Sequence, residues 1–233
     1  MKKSKGIPSD YDINPERFRA NVRAVEQYGL SRDVHEDVAD HVMVERLEPT
    51  LDIGCGEGRL TQPLHDRGIA TVAFDYSATM LAAVPDPRVQ GDANHLPFAD
   101  ATFGSIAALY MLYHLDNPSQ ALAECYRVLR PGGLLAACVP SRYNDPELAP
   151  ILPSSPPETF DAENGPALVA EFFQNVEIER WNAPLIYLPD KAALHHYLLG
   201  RNLCQQVIDQ AMTQVEVPLY LTKRGALIYG RKE

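Results

Sequence analysis

From Thr50 to Val139 short apolar runs alternate with stretches of helical periodicity, and few folds accommodate that rhythm. The runs Thr50–Ile53, Ala70–Phe74, Val89–Gln90, Ser105–Leu109 and Leu134–Val139 read as strands, and Leu60–Arg67, Ala78–Val84 and Ser119–Leu129 between them read as helices. Gly68 closes the first of these helices, and Pro131-Gly132-Gly133 turns the chain into the fifth strand. Repeated βα units of this kind predict a doubly wound, mostly parallel α/β sheet. Two further strands, Val176–Trp181 and Ala226–Tyr229, bring the expected total to seven. The last should run antiparallel, because the short spacing from Val215 leaves no room for a crossover.

The flanks differ from this core. Asn14-Pro15-Glu16 is a helix start, with Phe18, Val22 and Val25 on one face, and a second helix is expected from Ser31, with Asp33 in its first turn, to a stop before Pro49. The proline-rich stretch 140–166 exceeds the usual ~12–15 residues of a connection and reads as a functional lid. A short helix at Ala167–Phe173 and a helical region at Asp190–Gln214, interrupted at Gly200, follow it. One domain is therefore expected: an N-terminal helical lid over 1–47, a core over 48–140, and a lid loop, cap helices and closing strands over 141–233.

Charge and composition narrow the function classes. The 31 acidic residues outnumber the 21 basic ones, giving −10 over 233 residues, which argues against a nucleic-acid partner. No apolar run reaches the ~18–20 residues of a membrane helix, and Met1-Lys2-Lys3-Ser4-Lys5-Gly6 leads into polar sequence, so a cytoplasmic protein with no membrane partner is expected. Cys55, Cys125, Cys138 and Cys204 have no metal or disulfide spacing and read as reduced, mostly buried thiols.

The segment Leu51-Asp52-Ile53-Gly54-Cys55-Gly56-Glu57-Gly58-Arg59-Leu60 leads from strand to helix, where glycines let the backbone turn sharply and approach a ligand. Asp75 ends the second strand 21 residues after Gly54, the place of an acid that binds a ribose diol, and Gly91-Asp92-Ala93 ends the third. A dinucleotide fingerprint needs a third glycine where this chain has Arg59. Asp52, Glu57, Asp75 and Asp92 would surround the crevice with carboxylates, repelling a pyrophosphate and attracting a cofactor that carries a sulfonium and an ammonium.

Residues 48–140 resemble a class I S-adenosylmethionine-dependent methyltransferase of the type 11 group. Besides the glycine-rich segment, the resemblance lies in Phe74-Asp75-Tyr76-Ser77 with Met80, in Gly91-Asp92-Ala93 followed by Leu96-Pro97-Phe98, in Met111-Leu112-Tyr113-His114-Leu115, and in Arg127-Val128-Leu129-Arg130-Pro131-Gly132-Gly133. It implies a Rossmann-like fold, S-adenosyl-L-methionine as cofactor, and methyl transfer to a small-molecule acceptor. It places the methionine part over Gly54, Cys55 and Gly56, with Asp52 supporting the loop or the ammonium. Asp75 would accept the ribose hydroxyls, Tyr76 and Met80 would flank the adenine, and Asp92 and Ala93 would bond its polar edge, with Leu109 and Tyr110 completing the cofactor set. Two positions depart from the pattern: Gly104 replaces an acid, and Tyr113 stands where many relatives have histidine.

Methyl transfer from a sulfonium needs a base only when the acceptor is protonated. His114, just past the fourth strand, and His195 in the cap are the candidates, with Tyr11 and His196 as substrate-side contacts. The cluster His35-Glu36-Asp37-Val38-Ala39-Asp40-His41 lacks metal-ligand spacing and reads as a solvated helix face, so no metal is expected. Lys223-Arg224 would be exposed on a turn, or meet an acidic substrate. Phe160, Phe172, Phe173, Trp181, Tyr187 and Tyr197 lean towards a hydrophobic acceptor. Oxygen, nitrogen and carbon nucleophiles remain open, as does oligomeric state. The competing functions are a non-catalytic cofactor-binding regulatory module and a nicotinamide-dependent oxidoreductase.

Overall fold

In the computed structural model, which describes residues 14–31, 33–152 and 158–233, seven strands form one sheet in the order β3-β2-β1-β4-β5-β7-β6. The strands are β1 (Thr50–Ile53), β2 (Thr71–Asp75), β3 (Arg88–Gln90), β4 (Phe103–Leu109), β5 (Leu129–Pro140), β6 (Asn175–Leu188) and β7 (Leu219–Arg231). Only β7 runs against its neighbours, pairing antiparallel with both β5 and β6. The seven-stranded, mostly parallel expectation holds. The last two strands are far longer than their apolar runs suggested, because Asn175–Leu188 is an edge strand whose outer residues are polar and exposed.

The helices are α1 (Glu16–Tyr28), α2 (Val34–Glu45), α3 (Thr61–Asp66), α4 (Ala78–Leu81), α5 (Pro118–Val128), α6 (Gly165–Ala170), α7 (Lys191–Leu199) and α8 (Gln205–Gln214). The second helix begins at Val34, later than Ser31, because the Asp33 side chain accepts from His35 N–H and caps it.

Strand periodicity sorts side chains onto the two faces. Ile106, Ala108, Leu135, Ala137, Ala226 and Ile228 face a core shared with α5 and α6, and Ala107, Leu109, Ala136, Cys138, Leu227 and Tyr229 face one shared with α2 and α3. Every residue of β1 and β4 is buried, as expected for a sheet covered on both faces. Gly104 is small for a reason: a Cβ there would lie 2.7 Å from the Leu47 carbonyl carbon.

A third apolar cluster joins α1, α7, α8, β6 and β7 through Ala24, Leu148, Ile186, Leu194, Tyr197, Ile208 and Leu221. The approach of α1 to the end of α7 is close enough that a Cβ on Gly200 would lie 2.6 Å from Asn21 Cα. The described part of 140–166 is fastened down: Ser141 Oγ donates to Glu163 at 2.6 Å, Arg142 pairs with Asp161 at 2.6 Å, and Leu148 and Phe160 are buried.

Candidate active site

The sheet order reverses between β1 and β4, and in open α/β sheets ligands bind beyond the strand C-termini at such a switch. A cavity of about 710 Å³ lies there, towards the upper end of the ~300–1,000 Å³ usual for ligand sites.

The glycine-rich loop forms one wall. Gly54 N–H and Cys55 N–H both donate to Phe74 O, at 2.7 and 3.2 Å, which folds the loop back over β2. Gly54, Gly56 and Gly58 all have positive φ, and a Cβ on Gly54 would lie 2.6 Å from Met111 Cβ. Phe18 of α1 covers the loop, its ring 3.2 Å from a Cβ built on Gly56. The Asp75 carboxylate accepts from Gly56 N–H at 2.9 Å and Ser77 N–H at 2.8 Å while also facing the cavity, so it positions the loop as well as offering a charge. Beside it Phe74, Tyr76, Met80, Gly91, Ala93 and Leu109 make a mostly apolar wall suited to an aromatic ring, with Met80 buried and Tyr76 half-exposed. Tyr110 also lines the cavity, in a left-handed conformation (φ 57°) that a bulky residue adopts at a cost of roughly 1–2 kcal/mol.

The ring of four carboxylates needs correction. Asp52 is buried beneath the loop, accepts from Thr61 Oγ1 at 2.7 Å and does not line the cavity. Burial pushes its carboxyl up to about 6. Glu57 is held by Arg19 of α1, at 2.9 and 2.7 Å. Asp92 turns into its own loop, accepting from Asn94 N–H at 2.9 Å. Among the four, Asp75 alone reaches the wall. Other acids, unforeseen in the sequence, line it as well: Glu26, Asp37, Glu179 and Asp33, the last contacting His35 and Arg59. Burial works against the ionised form of Asp33, but the hydrogen bonds and charge of His35, with the charge of Arg59, hold the carboxyl well below the usual range.

His114 lines the cavity at the end of a 3₁₀ turn, Leu112–His114, and its N–H donates to Met111 O at 3.0 Å. Tyr113 lines it too, its ring centroid 4.3 Å from that of His114. His195 is half-buried and His196 exposed, neither on the cavity wall; His196 Nδ1 is hydrogen-bonded to Tyr28 OH at 3.0 Å. Tyr11 lies outside the described residues. Of the aromatic residues expected near an acceptor, Trp181 alone lines the cavity, whereas Phe160, Phe173 and Tyr197 are core.

Two readings of charged segments change. His35 is buried on the cavity wall, because α2 packs against the sheet through Val38, Ala39 and Val42. No group of three metal-ligating residues occurs among the described residues. Lys223 and Arg224 lie within β7 and both line the cavity, joined by Arg201 from the end of α7. Three of the four cysteines are buried, and Cys204 is exposed. No helix among the described residues is long and apolar enough to cross a membrane.

Residues 51–137 match the family described as methyltransferase domain. The chain is 34% identical over 128 residues to a demethylmenaquinone methyltransferase of Renibacterium salmoninarum, covering 53% of each chain. It is 33% identical over 135 residues to a malonyl-[acyl-carrier protein] O-methyltransferase of Enterobacter lignolyticus, covering 54% of each. The chain thus spans about half the length of the curated relatives it matches. Among solved structures, an S-adenosylmethionine-dependent methyltransferase from Archaeoglobus fulgidus shares the fold with a TM-score of 0.56 at 18% identity, over 95% of this chain and 99% of that one. Over residues 51–137 the chain is thus similar to class I S-adenosylmethionine-dependent methyltransferases, in sequence motif and in fold.

Proposed function

We propose that the protein transfers a methyl group from S-adenosylmethionine to a small-molecule acceptor. The observation that carries this reading is one continuous cavity whose wall includes both the glycine loop with Asp75 and, from β6, Trp181, Leu185 and Ile186. The first part suits the cofactor, and the second offers room for an acceptor. The names of the relatives, which concern a quinone precursor and a malonyl thioester, are consistent with acceptors of varied chemistry.

The residues present fit the cofactor. Gly54, Cys55 and Gly56 offer close backbone approach to the methionine part, Asp75 an ionised acceptor for ribose hydroxyls, and Tyr76, Met80 and Ala93 an apolar slot for the adenine. Asp52 acts from beneath, through Thr61 and the loop. Asp92 would have to leave Asn94 to reach the adenine, so its part in binding is the weakest. Arg59, at the third-glycine position and paired with Asp33, disfavours a dinucleotide.

When bound, the cofactor supplies a methyl group on a sulfonium whose leaving group is already activated. The chain then has to align the acceptor and exclude water, which is the work of α1 and of Phe18 over the loop. For a protonated acceptor, the imidazole of His114 takes the proton released as the new bond to methyl forms. His195 and His196 sit off the wall, which speaks against such a role for them.

Calorimetry with S-adenosylhomocysteine tests the reading. Saturable binding to the wild-type chain, weakened at least about ten-fold by Asp75→Ala, is expected. Absence of binding heat at several temperatures would overturn it.

A further inference from the structure

The cavity has a second charged region that the cofactor does not use. It lies over β7, three strand spacings from β1, roughly 14 Å at ~4.8 Å per strand. Lys223 on β7 and Arg201 after α7 both line the cavity there. Behind them Asp145, 5% exposed and not on the wall, accepts from Arg201 Nη2 at 2.6 Å, Lys223 Nζ at 2.8 Å and Tyr197 OH at 2.8 Å. Glu147 is engaged elsewhere, accepting from Thr222 N–H and Oγ1. One carboxylate therefore serves two cations that line the cavity.

The pairing is incomplete at Arg201. Its hydrogen bonds among the described residues leave through Nη2, to Asp145 and to Tyr197, and its buried Nε has no partner among them. A buried guanidinium N–H without an acceptor is costly, and buried charges are ordinarily paired and hydrogen-bonded. The surrounding wall is apolar, from Val22, Val25, Trp181 and Ile186, while the carboxylates Glu26 and Glu179 are exposed.

We propose that Arg201 and Lys223 form an anion subsite that takes a carboxylate at one end of an otherwise apolar methyl acceptor. The inference rests on the methyl-transfer reading and adds the acceptor's chemical class. The Lys223 amine is pushed down to about 8, first by burial and then by the charge of Arg201 beside it. A carboxylate supplies the missing negative charge and an acceptor for N–H donors, and a planar guanidinium suits its geometry.

Binding to the full chain, with and without S-adenosylhomocysteine, tests this. The probes are benzoate and octanoate against their neutral isosteres benzamide and octanamide, followed by calorimetry. Both carboxylates should bind at least about ten-fold tighter than the amides, and Arg201→Gln or Lys223→Met should remove that preference while leaving S-adenosylhomocysteine affinity within about two-fold. Equal binding of amide and carboxylate to the wild-type chain, or a preference that survives both substitutions, overturns the subsite. Should either variant fail to fold, the wild-type comparison decides. A carboxylate preference without any S-adenosylhomocysteine binding would support the subsite and refute the methyl-transfer reading, so the two failures are distinguishable.

Discussion

Replacing Asp52 with asparagine should stabilise the protein, by an amount that depends on pH. Asp52 sits on β1 between Ala73 and Ala107 of the adjacent strands and is 2% exposed. Burial raises its carboxyl from 3.8 to about 6, against the opposing hydrogen bond from Thr61. A carboxyl harder to ionise in the fold than in the unfolded chain destabilises the fold once it must ionise. That penalty is absent below pH 3.8, grows between 3.8 and 6, and is complete above 6. At 1.36 kcal/mol per unit the full effect is about 3 kcal/mol, and about half of it develops between pH 5 and pH 8. Asparagine keeps an oxygen that accepts from Thr61 and cannot ionise. Urea unfolding of both proteins at pH 5, 6, 7 and 8 gives the difference directly. The Asp52→Asn variant should be the more stable at pH 8, with an advantage that shrinks towards pH 5. An advantage that stays flat across this range would refute the argument that burial holds the carboxyl near 6. A native aspartate retained at such a cost is itself a sign of function, because active sites often keep destabilising groups.

Gly54→Ala combines a positive φ, worth roughly 1–2 kcal/mol, with a Cβ 2.6 Å from Met111 Cβ, where overpacking adds roughly 1–3 kcal/mol. A urea midpoint lowered accordingly, together with lost S-adenosylhomocysteine binding, is expected; unchanged stability would show that the loop yields easily. Gly225→Ala places a methyl group 2.2 Å from Trp181 Cζ2 and should displace the single tryptophan of the chain. Its fluorescence emission should shift, and an identical spectrum would mean that the ring does not rest on Gly225.

The core and the glycine-loop side of the cavity were legible because their determinants are close together along the chain. Gly54, Gly56 and Gly58 need positive φ whatever packs above them, and the alternation of 106 and 108 with 107 and 109 sets which side chains face each layer of helices. Asp75 sits at a strand end, and strand ends in a parallel sheet converge on one crevice. The carboxylates were harder to place. Residue type shows that Glu57 and Asp92 are acidic, but not that Arg19, 38 residues away, holds the first, or that a local turn takes the second.

The β7 side of the cavity could not be read this way. Asp145 meets Tyr197, Arg201 and Lys223 across separations of 52, 56 and 78 residues, and no local periodicity encodes such a junction. Two basic residues on a predicted turn look solvated until β7 extends to Leu219–Arg231 and carries them into the cavity wall. Likewise His35 looked like part of a polar helix face until α2 packed against the sheet. Backbone conformation and side-chain alternation are properties of a few neighbouring residues, so the order of amino acids specifies them. Burial and charge pairing depend on which distant segments the fold brings together, and only packing reveals them.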